Sequence, residues 1–181
     1  MGMDEHIAEV LYSEEDLKQI VRRMGAEISR DYAGKNLFLV CVLKGSFVFM
    51  SDLARAIDIP CTIDFLSVSS YGGGTWYSGK VQLINDLTCP LGDNDLLVVE
   101  DILDSGVTLS FLLEMLSARH PRSIRLCTLL DKPARRKVDI KANYVGAEVE
   151  DKFIVGYGLD YAEKYRKIPY IGVLKPEIYA E

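Results

Sequence analysis

Residues 98–109 read VVEDILDSGVTL, and the architecture of the chain can be built outward from this stretch. An apolar run (Leu96, Leu97, Val98, Val99) ends in two adjacent acids, Glu100 and Asp101. Two apolar residues follow, then Asp104-Ser105-Gly106-Val107-Thr108, then a helical pattern from Leu109. The pattern predicts a buried strand, an acidic pair at its C-terminal end, and a small-residue loop that opens a helix. The first turn of a helix carries free N–H groups and a partial positive charge, so such a loop is a natural phosphate cradle. Acids beside a phosphate cradle repel the ligand unless they bind hydroxyls or a divalent cation. The ligand implied is a phosphorylated sugar carrying Mg²⁺.

On the N-terminal side, Leu37–Leu43 (LFLVCVL) is a continuous apolar run of strand length, broken by Lys44-Gly45-Ser46. Residues 47–57 read as a helix and 62–68 as a second strand. Residues 69–79 (SSYGGGTWYSG) are rich in Gly and Ser and read as a loop, with an outer strand at 80–84. On the C-terminal side, a helix is predicted over about 108–119 and strands over 124–130, 144–147, 153–157 and 170–174. Nearer the N-terminus, Ser13 followed by Glu14, Glu15 and Asp16 marks a helix start, and Leu17, Ile20, Val21, Met24 and Ile28 recur at helical spacing. Strands that are apolar on both faces and alternate with helices imply an α/β fold, a central parallel twisted sheet flanked by helices. Ligands in such sheets bind beyond the strand C-termini, at a switch in strand order. Lys44-Gly45, residues 101–108 and Lys132 all follow strand ends and can share one rim. A single domain over 1–181 is expected. The less regular N-terminal helix and the segment after about residue 151 should form a small cap, or hood, over the rim.

Composition narrows the function. The 181 residues are 49% hydrophobic, enough for one sizeable core. The net charge of −6 argues against nucleic-acid binding driven by phosphate contacts. No apolar run approaches a membrane span and no secretory signal is read, so no membrane partner is expected. Cys41, Cys61, Cys89 and Cys127 form no CxxC motif and read as structural thiols of a reducing cytoplasm. His6 and His120 are far apart, which leaves little for a histidine-based metal site or triad.

The stretch 98–109 resembles the phosphoribosyl-pyrophosphate signature of the type I phosphoribosyltransferases. Leu43-Lys44-Gly45-Ser46, Ser69-Ser70-Tyr71-Gly72, Leu130-Asp131-Lys132-Pro133 and residues 151–166 (DKFIVGYGLDYAEKYR) extend the resemblance to the hypoxanthine-guanine branch. Five motifs in the right order cover nearly the whole chain. The resemblance implies Mg²⁺-dependent transfer of 5-phosphoribosyl from phosphoribosyl pyrophosphate to N9 of hypoxanthine or guanine, a purine-salvage reaction. The products are a nucleotide monophosphate and pyrophosphate. It also implies a homodimer or homotetramer. Two alternatives share the fold: an RNA-binding regulator of pyrimidine genes, which would need a basic surface, and a xanthine-preferring enzyme.

The resemblance also implies roles for residues. Glu100 and Asp101 contact the ribose hydroxyls and Mg²⁺, as hard oxygen ligands can. Asp104 faces the purine and acts as acid/base at N7. Asp104, Ser105, Gly106, Val107 and Thr108 bind the 5′-phosphate. Lys44 and Gly45 meet the pyrophosphate through a backbone that can contain a cis peptide. Lys132 donates to O6 of the base, which favours 6-oxopurines over adenine. Phe153 stacks on the purine and the Ile154 backbone meets its Watson–Crick edge. Asp160, beside the purine, ligates a pyrophosphate-side Mg²⁺. Arg166 binds pyrophosphate oxygens, with Arg136 as a second candidate. Ser70 and Tyr71 begin a lid that closes over the reaction centre.

Overall fold

A computed structural model describes residues 3–70 and 81–180. Its larger sheet has six strands in the order β4-β3-β2-β5-β6-β7, with β2 Leu37–Leu43, β3 Cys61–Ser70, β4 Val81–Asn85, β5 Asp95–Leu103, β6 Ser123–Asp131 and β7 Tyr144–Glu148. All neighbours are parallel except β4, which lies antiparallel on β3 at the edge. The chain leaves β2 toward β3 on one side, and runs from β5 to β6 and β7 on the other. The switch in strand order therefore falls between β2 and β5, where a crevice forms at the strand C-termini.

The strands alternate their side chains between two apolar layers. Leu37, Leu39, Cys41, Leu97, Val99, Cys127 and Leu129 face α1 (Glu14–Asp31) and α2 (Phe47–Ala56). Phe38, Val40, Val42, Leu96, Val98 and Leu126 face α3 (Val107–Ser117). This two-sided burial explains why the strands read as unbroken apolar runs. In α1, Leu17, Val21, Met24 and Ile28 are buried along one stripe, and Ser13 and Asp16 form a reciprocal capping box at its start. Gly25 lets α1 and α2 approach closely, since a Cβ there would lie 2.6 Å from the Ala56 carbonyl oxygen.

A second, three-stranded antiparallel sheet has the order β1-β9-β8, with β1 Ile7–Tyr12, β8 Ile154–Val155 and β9 Ile171–Leu174. The N-terminal element that joins the C-terminal segment is thus β1, a strand the sequence pattern did not reveal. The helix α1, expected in the cap, packs instead on α2 and β7 in the main layer. Two further boundaries differ from expectation. Strand β5 continues through Leu103, so Glu100 and Asp101 lie within it rather than at its end. The strand expected over 153–157 stops at Val155, because Gly156, Tyr157 and Gly158 all have positive φ. A short helix α4, Pro176–Tyr179, follows β9.

Candidate active site

The C-terminal rim of the main sheet brings together most of the residues expected there. A cavity of about 260 Å³ is lined by Leu43, Glu100, Ile102, Asp104, Ser105, Gly106 and Thr108, among others. Glu100, Ile102 and Asp104 share one wall because they alternate along β5 and the turn after it. Glu100 Oε2 and Asp104 Oδ1 are shut off from solvent and have no hydrogen-bond partner among the described residues. Two orphaned carboxylate oxygens at one cavity are costly unless a ligand meets them. Asp104 could also have served as the cap of α3, but that position belongs to Gly106, at φ 79° and with no side-chain cap. A Cβ on Gly106 would lie 2.4 Å from Ile140 Cγ2, so the close approach and the left-handed turn both demand glycine. At the start of α3 the Val107 N–H donates to Ser105 Oγ at 3.4 Å, and Ser105 and Thr108 line the cavity beside it.

Asp101 sits over the loop after β2. Its Oδ2 lies 1.7 Å from where a Cβ on Gly45 would stand. The Leu43–Lys44 peptide leading into that loop is cis. Burial raises the pKa of Glu100 well above the usual carboxylate range, and the neighbouring Asp101 adds to the shift. Burial likewise raises Asp101, against the opposing pull of its hydrogen bonding. Among the described residues no group of three or more His, Cys, Asp or Glu side chains is arranged to hold a metal ion. The donors that remain are a buried pair of adjacent carboxylates. That set fits Mg²⁺, which takes one or two carboxylates and completes its shell with water and phosphate oxygens.

Lys132 follows β6 and is buried. Its Nζ donates to the Lys152 carbonyl at 2.8 Å. Burial lowers its pKa, and Asp104 partly offsets this. Ile154 is buried as expected of a strand residue, while Phe153 is 37% exposed. The Phe153 ring stacks on Tyr179 of α4, with centroids 4.5 Å apart and planes at 19°. On the pyrophosphate side of the expected site, Arg166 donates through Nη1 to the Gly158 carbonyl at 2.8 Å. Its Nη2 lies 2.9 Å from Asp160 and 3.3 Å from Glu163. Glu163 also reaches Lys44 at 3.2 Å, so one carboxylate bridges the two cations. Asp160 accepts the Glu163 N–H as well, at 2.9 Å.

Arg135 and Arg136 diverge. Arg135 pairs with Asp151 at 2.6 Å. Arg136 donates through Nη1 to the Asp104 carbonyl at 2.8 Å and pairs through Nη2 with Asp131. Glu163 and Tyr179 had no signal in the sequence, since nothing in spacing pairs them with Lys44 or Phe153. Of the expected lid, Tyr71, Trp76 and Tyr77 lie outside the described residues, as does the Ser70 side chain. Cys41, behind the rim, has its thiol pushed up to about 11 by burial, so it stays protonated and inert. A larger hollow of about 590 Å³ lies near Tyr12, Asp16 and Arg23. Asp16 caps α1, and Arg23 donates to the Val145 and Gly146 carbonyls.

A parallel sheet with a buried acidic pair before a glycine-bearing helix start is the arrangement of a phosphoribosyl-transferring enzyme. The phosphoribosyl transferase domain family matches residues 8–162. The hypoxanthine-guanine phosphoribosyltransferase of Staphylococcus aureus is 52% identical over 178 residues, covering 98% of this chain and 99% of that one. A crystal structure of a hypoxanthine phosphoribosyltransferase from the same species superposes with a TM-score of 0.96 at 51% identity, covering 99% and 97% of the two chains. The hypoxanthine phosphoribosyltransferase of Trypanosoma cruzi, in a ternary substrates complex, has a TM-score of 0.92 at 38% identity, covering 97% and 100%. The chain belongs to the hypoxanthine-guanine phosphoribosyltransferases, within the type I phosphoribosyltransferase family, and is a transferase.

Proposed function

We propose that the chain transfers a 5-phosphoribosyl group from phosphoribosyl pyrophosphate to N9 of hypoxanthine or guanine in a Mg²⁺-dependent purine-salvage reaction. The observation that carries the reading is the pair of orphaned oxygens, Glu100 Oε2 and Asp104 Oδ1, at one cavity with Ser105, Gly106 and Thr108. Glu100 and Asp101 take the ribose hydroxyls and a Mg²⁺ ion. Asp160 takes a second, through lone pairs that Arg166 and the Glu163 amide leave free. When bound, Mg²⁺ supplies positive charge that offsets the charge of the departing pyrophosphate.

The chain's own groups do the rest. The amides of 105–108 and the hydroxyls of Ser105 and Thr108 hold the 5′-phosphate. Lys44, the Gly45 backbone and Arg166 bind pyrophosphate after Glu163 gives up the two cations. Lys132 donates to O6 of the base. Phe153, which also meets the Tyr161 ring edge to face at 5.6 Å, stacks on the purine, and the Ile154 backbone meets the Watson–Crick edge. Asp104 holds or moves the proton at N7 as the glycosidic bond forms. Ser70 and Tyr71 begin the lid that excludes water. β1, β8 and β9, with the loops between β8 and β9, form the hood of a single 1–181 domain.

The four cysteines are free, which supports a reducing cytoplasm. The exposed apolar side chains Phe47, Ile63, Phe65 and Ile84 support a homodimer or homotetramer. The decisive assay supplies phosphoribosyl pyrophosphate and Mg²⁺ with each of hypoxanthine, guanine, xanthine, adenine and uracil. Nucleotide should form from hypoxanthine and guanine, and chelation of Mg²⁺ should abolish it. Preference for xanthine or uracil, or turnover without a divalent ion, would refute the reading.

A further inference from the structure

The segment after β6 grips three successive residues, the last of β5 and the first two of the phosphate-cradle loop. The Lys132 N–H donates to the Leu103 carbonyl at 3.0 Å, and the Lys137 N–H donates to the Ser105 carbonyl at 2.9 Å. Between them, Arg136 Nη1 donates to the Asp104 carbonyl at 2.8 Å. This middle rung alone is made by a side chain. The same guanidinium pairs through Nη2 with Asp131, the last residue of β6. Both side chains are largely buried, at 17% and 23% exposure. A planar guanidinium that engages two fixed acceptors is itself fixed, as a lysine ammonium would not be. The gripped carbonyl belongs to the 104–105 peptide, whose planarity sets the Ser105 N–H in the opposite direction. Holding that one carbonyl therefore orients a cradle amide and the backbone from which the Asp104 carboxyl projects.

We propose that Arg136 is a positioning residue that locks the 104–105 peptide, rather than a ligand of pyrophosphate. The inference rests on the roles assigned above to Asp104 and the cradle. It touches no substrate, and its effect reaches the reaction only through Asp104 and Ser105.

Three variants test it: Arg136→Gln, Arg136→Lys, and Arg136→Gln combined with Asp131→Asn, which leaves no unpaired carboxylate. If the first does not fold, the third carries the test. Three quantities are read: turnover with hypoxanthine, affinity for inosine monophosphate by calorimetry, and inhibition by pyrophosphate. Amide hydrogen exchange of the ligand-free protein is measured alongside. In Arg136→Gln, turnover and inosine monophosphate affinity should each fall roughly tenfold or more, the scale of a small misplacement at a reacting centre. Inhibition by pyrophosphate should stay within about twofold. Exchange should quicken at 104–108 and not across β2 or β6, and Arg136→Lys should restore part of the loss. Unchanged turnover with unchanged exchange at 104–108 would overturn the proposal. So would a loss confined to pyrophosphate, which makes Arg136 a direct ligand. If the wild-type protein makes no nucleotide from any base, the functional reading fails by itself, and the exchange rates still decide whether Arg136 holds the peptide.

Discussion

Asp104 acts electrostatically on the buried Lys132, and the chemistry proposed for each follows from its surroundings. Asp104 has a buried oxygen without a partner, so its carboxylate is available to a ligand proton. Asp104→Asn keeps the shape and removes the basicity. Turnover should fall about 10²-fold or more, while inosine monophosphate still binds; equal steady-state rates for the two proteins would refute the acid/base role. Burial lowers the pKa of Lys132, and Asp104 partly offsets the shift. The sign follows directly: the ammonium is present below that pKa and is lost as pH rises through it, earlier than for an ordinary lysine near ~10.4. KM for hypoxanthine should therefore climb on the alkaline side in the wild type. Lys132→Ala should raise that KM roughly tenfold at neutral pH, the worth of one charged hydrogen bond, and should lose the alkaline limb. A larger effect on phosphoribosyl pyrophosphate binding than on base binding would place Lys132 elsewhere.

The strand ends carry the site, and there the sequence was legible in some elements and silent in others. The bounds of β2, Leu37–Leu43, are legible in the sequence, because an apolar run bounded by Asn36 and Lys44 marks a strand buried on both faces. The end of β5 was not, since Glu100 and Asp101 break the apolar pattern. The strand continues only because Ile102 and Leu103 pair with Leu130 and Asp131 of β6, a tertiary choice that local pattern does not hold. Strand β1 has no buried residue and exists through its pairing with β9, which is distant in sequence. The adjacent Arg135 and Arg136 were indistinguishable until the short helical turn at Pro133–Arg135 sent them to different acids. The motifs that name Lys44, Glu100, Asp104 and Lys132 are local in sequence and follow strand ends, whereas Glu163 carries no local signal and stands between Lys44 and Arg166 only through the folded loop. The junction of two strand ends also makes a test. Any side chain on Gly45 collides with Asp101, so Gly45→Ala must displace a proposed metal ligand. Overpacking of this kind costs about 1–3 kcal/mol. Gly45→Ala should lower the melting midpoint and raise KM for phosphoribosyl pyrophosphate together; normal KM with normal stability would show that the loop yields.

Across the whole molecule, most of the core and the loop proposed to bind pyrophosphate belong to different sheets. The large apolar clusters lie on the two faces of the six-stranded sheet, whereas Val155, Tyr165, Ile168 and Leu174 form a separate small cluster in the second. That second sheet suspends the loop bearing Asp160, Glu163 and Arg166. Two glycines separate the contributions. Gly25 lies where α1 meets α2, and a Cβ there would fall 2.6 Å from the Ala56 carbonyl oxygen. Gly25→Ala should destabilise the protein by about 1–3 kcal/mol in urea unfolding, with KM and turnover of the folded molecules unchanged. Gly156 has φ +100° and would place a Cβ 2.1 Å from the Tyr170 carbonyl oxygen. Its replacement cannot be absorbed by a side-chain rotation, because the obstacle is backbone and the conformation itself excludes an L-residue at low cost. The Gly156–Leu159 bridge and the Tyr157 N–H to Ile168 bond must then shift, and with them the anchor of Arg166 at Gly158. Gly156→Ala should therefore raise KM for phosphoribosyl pyrophosphate roughly tenfold or more while the main unfolding transition moves less than in Gly25→Ala. If Gly156→Ala instead lowered global stability more than Gly25→Ala and left KM unchanged, the second sheet would be a structural prop and not the mount for the pyrophosphate-binding side chains.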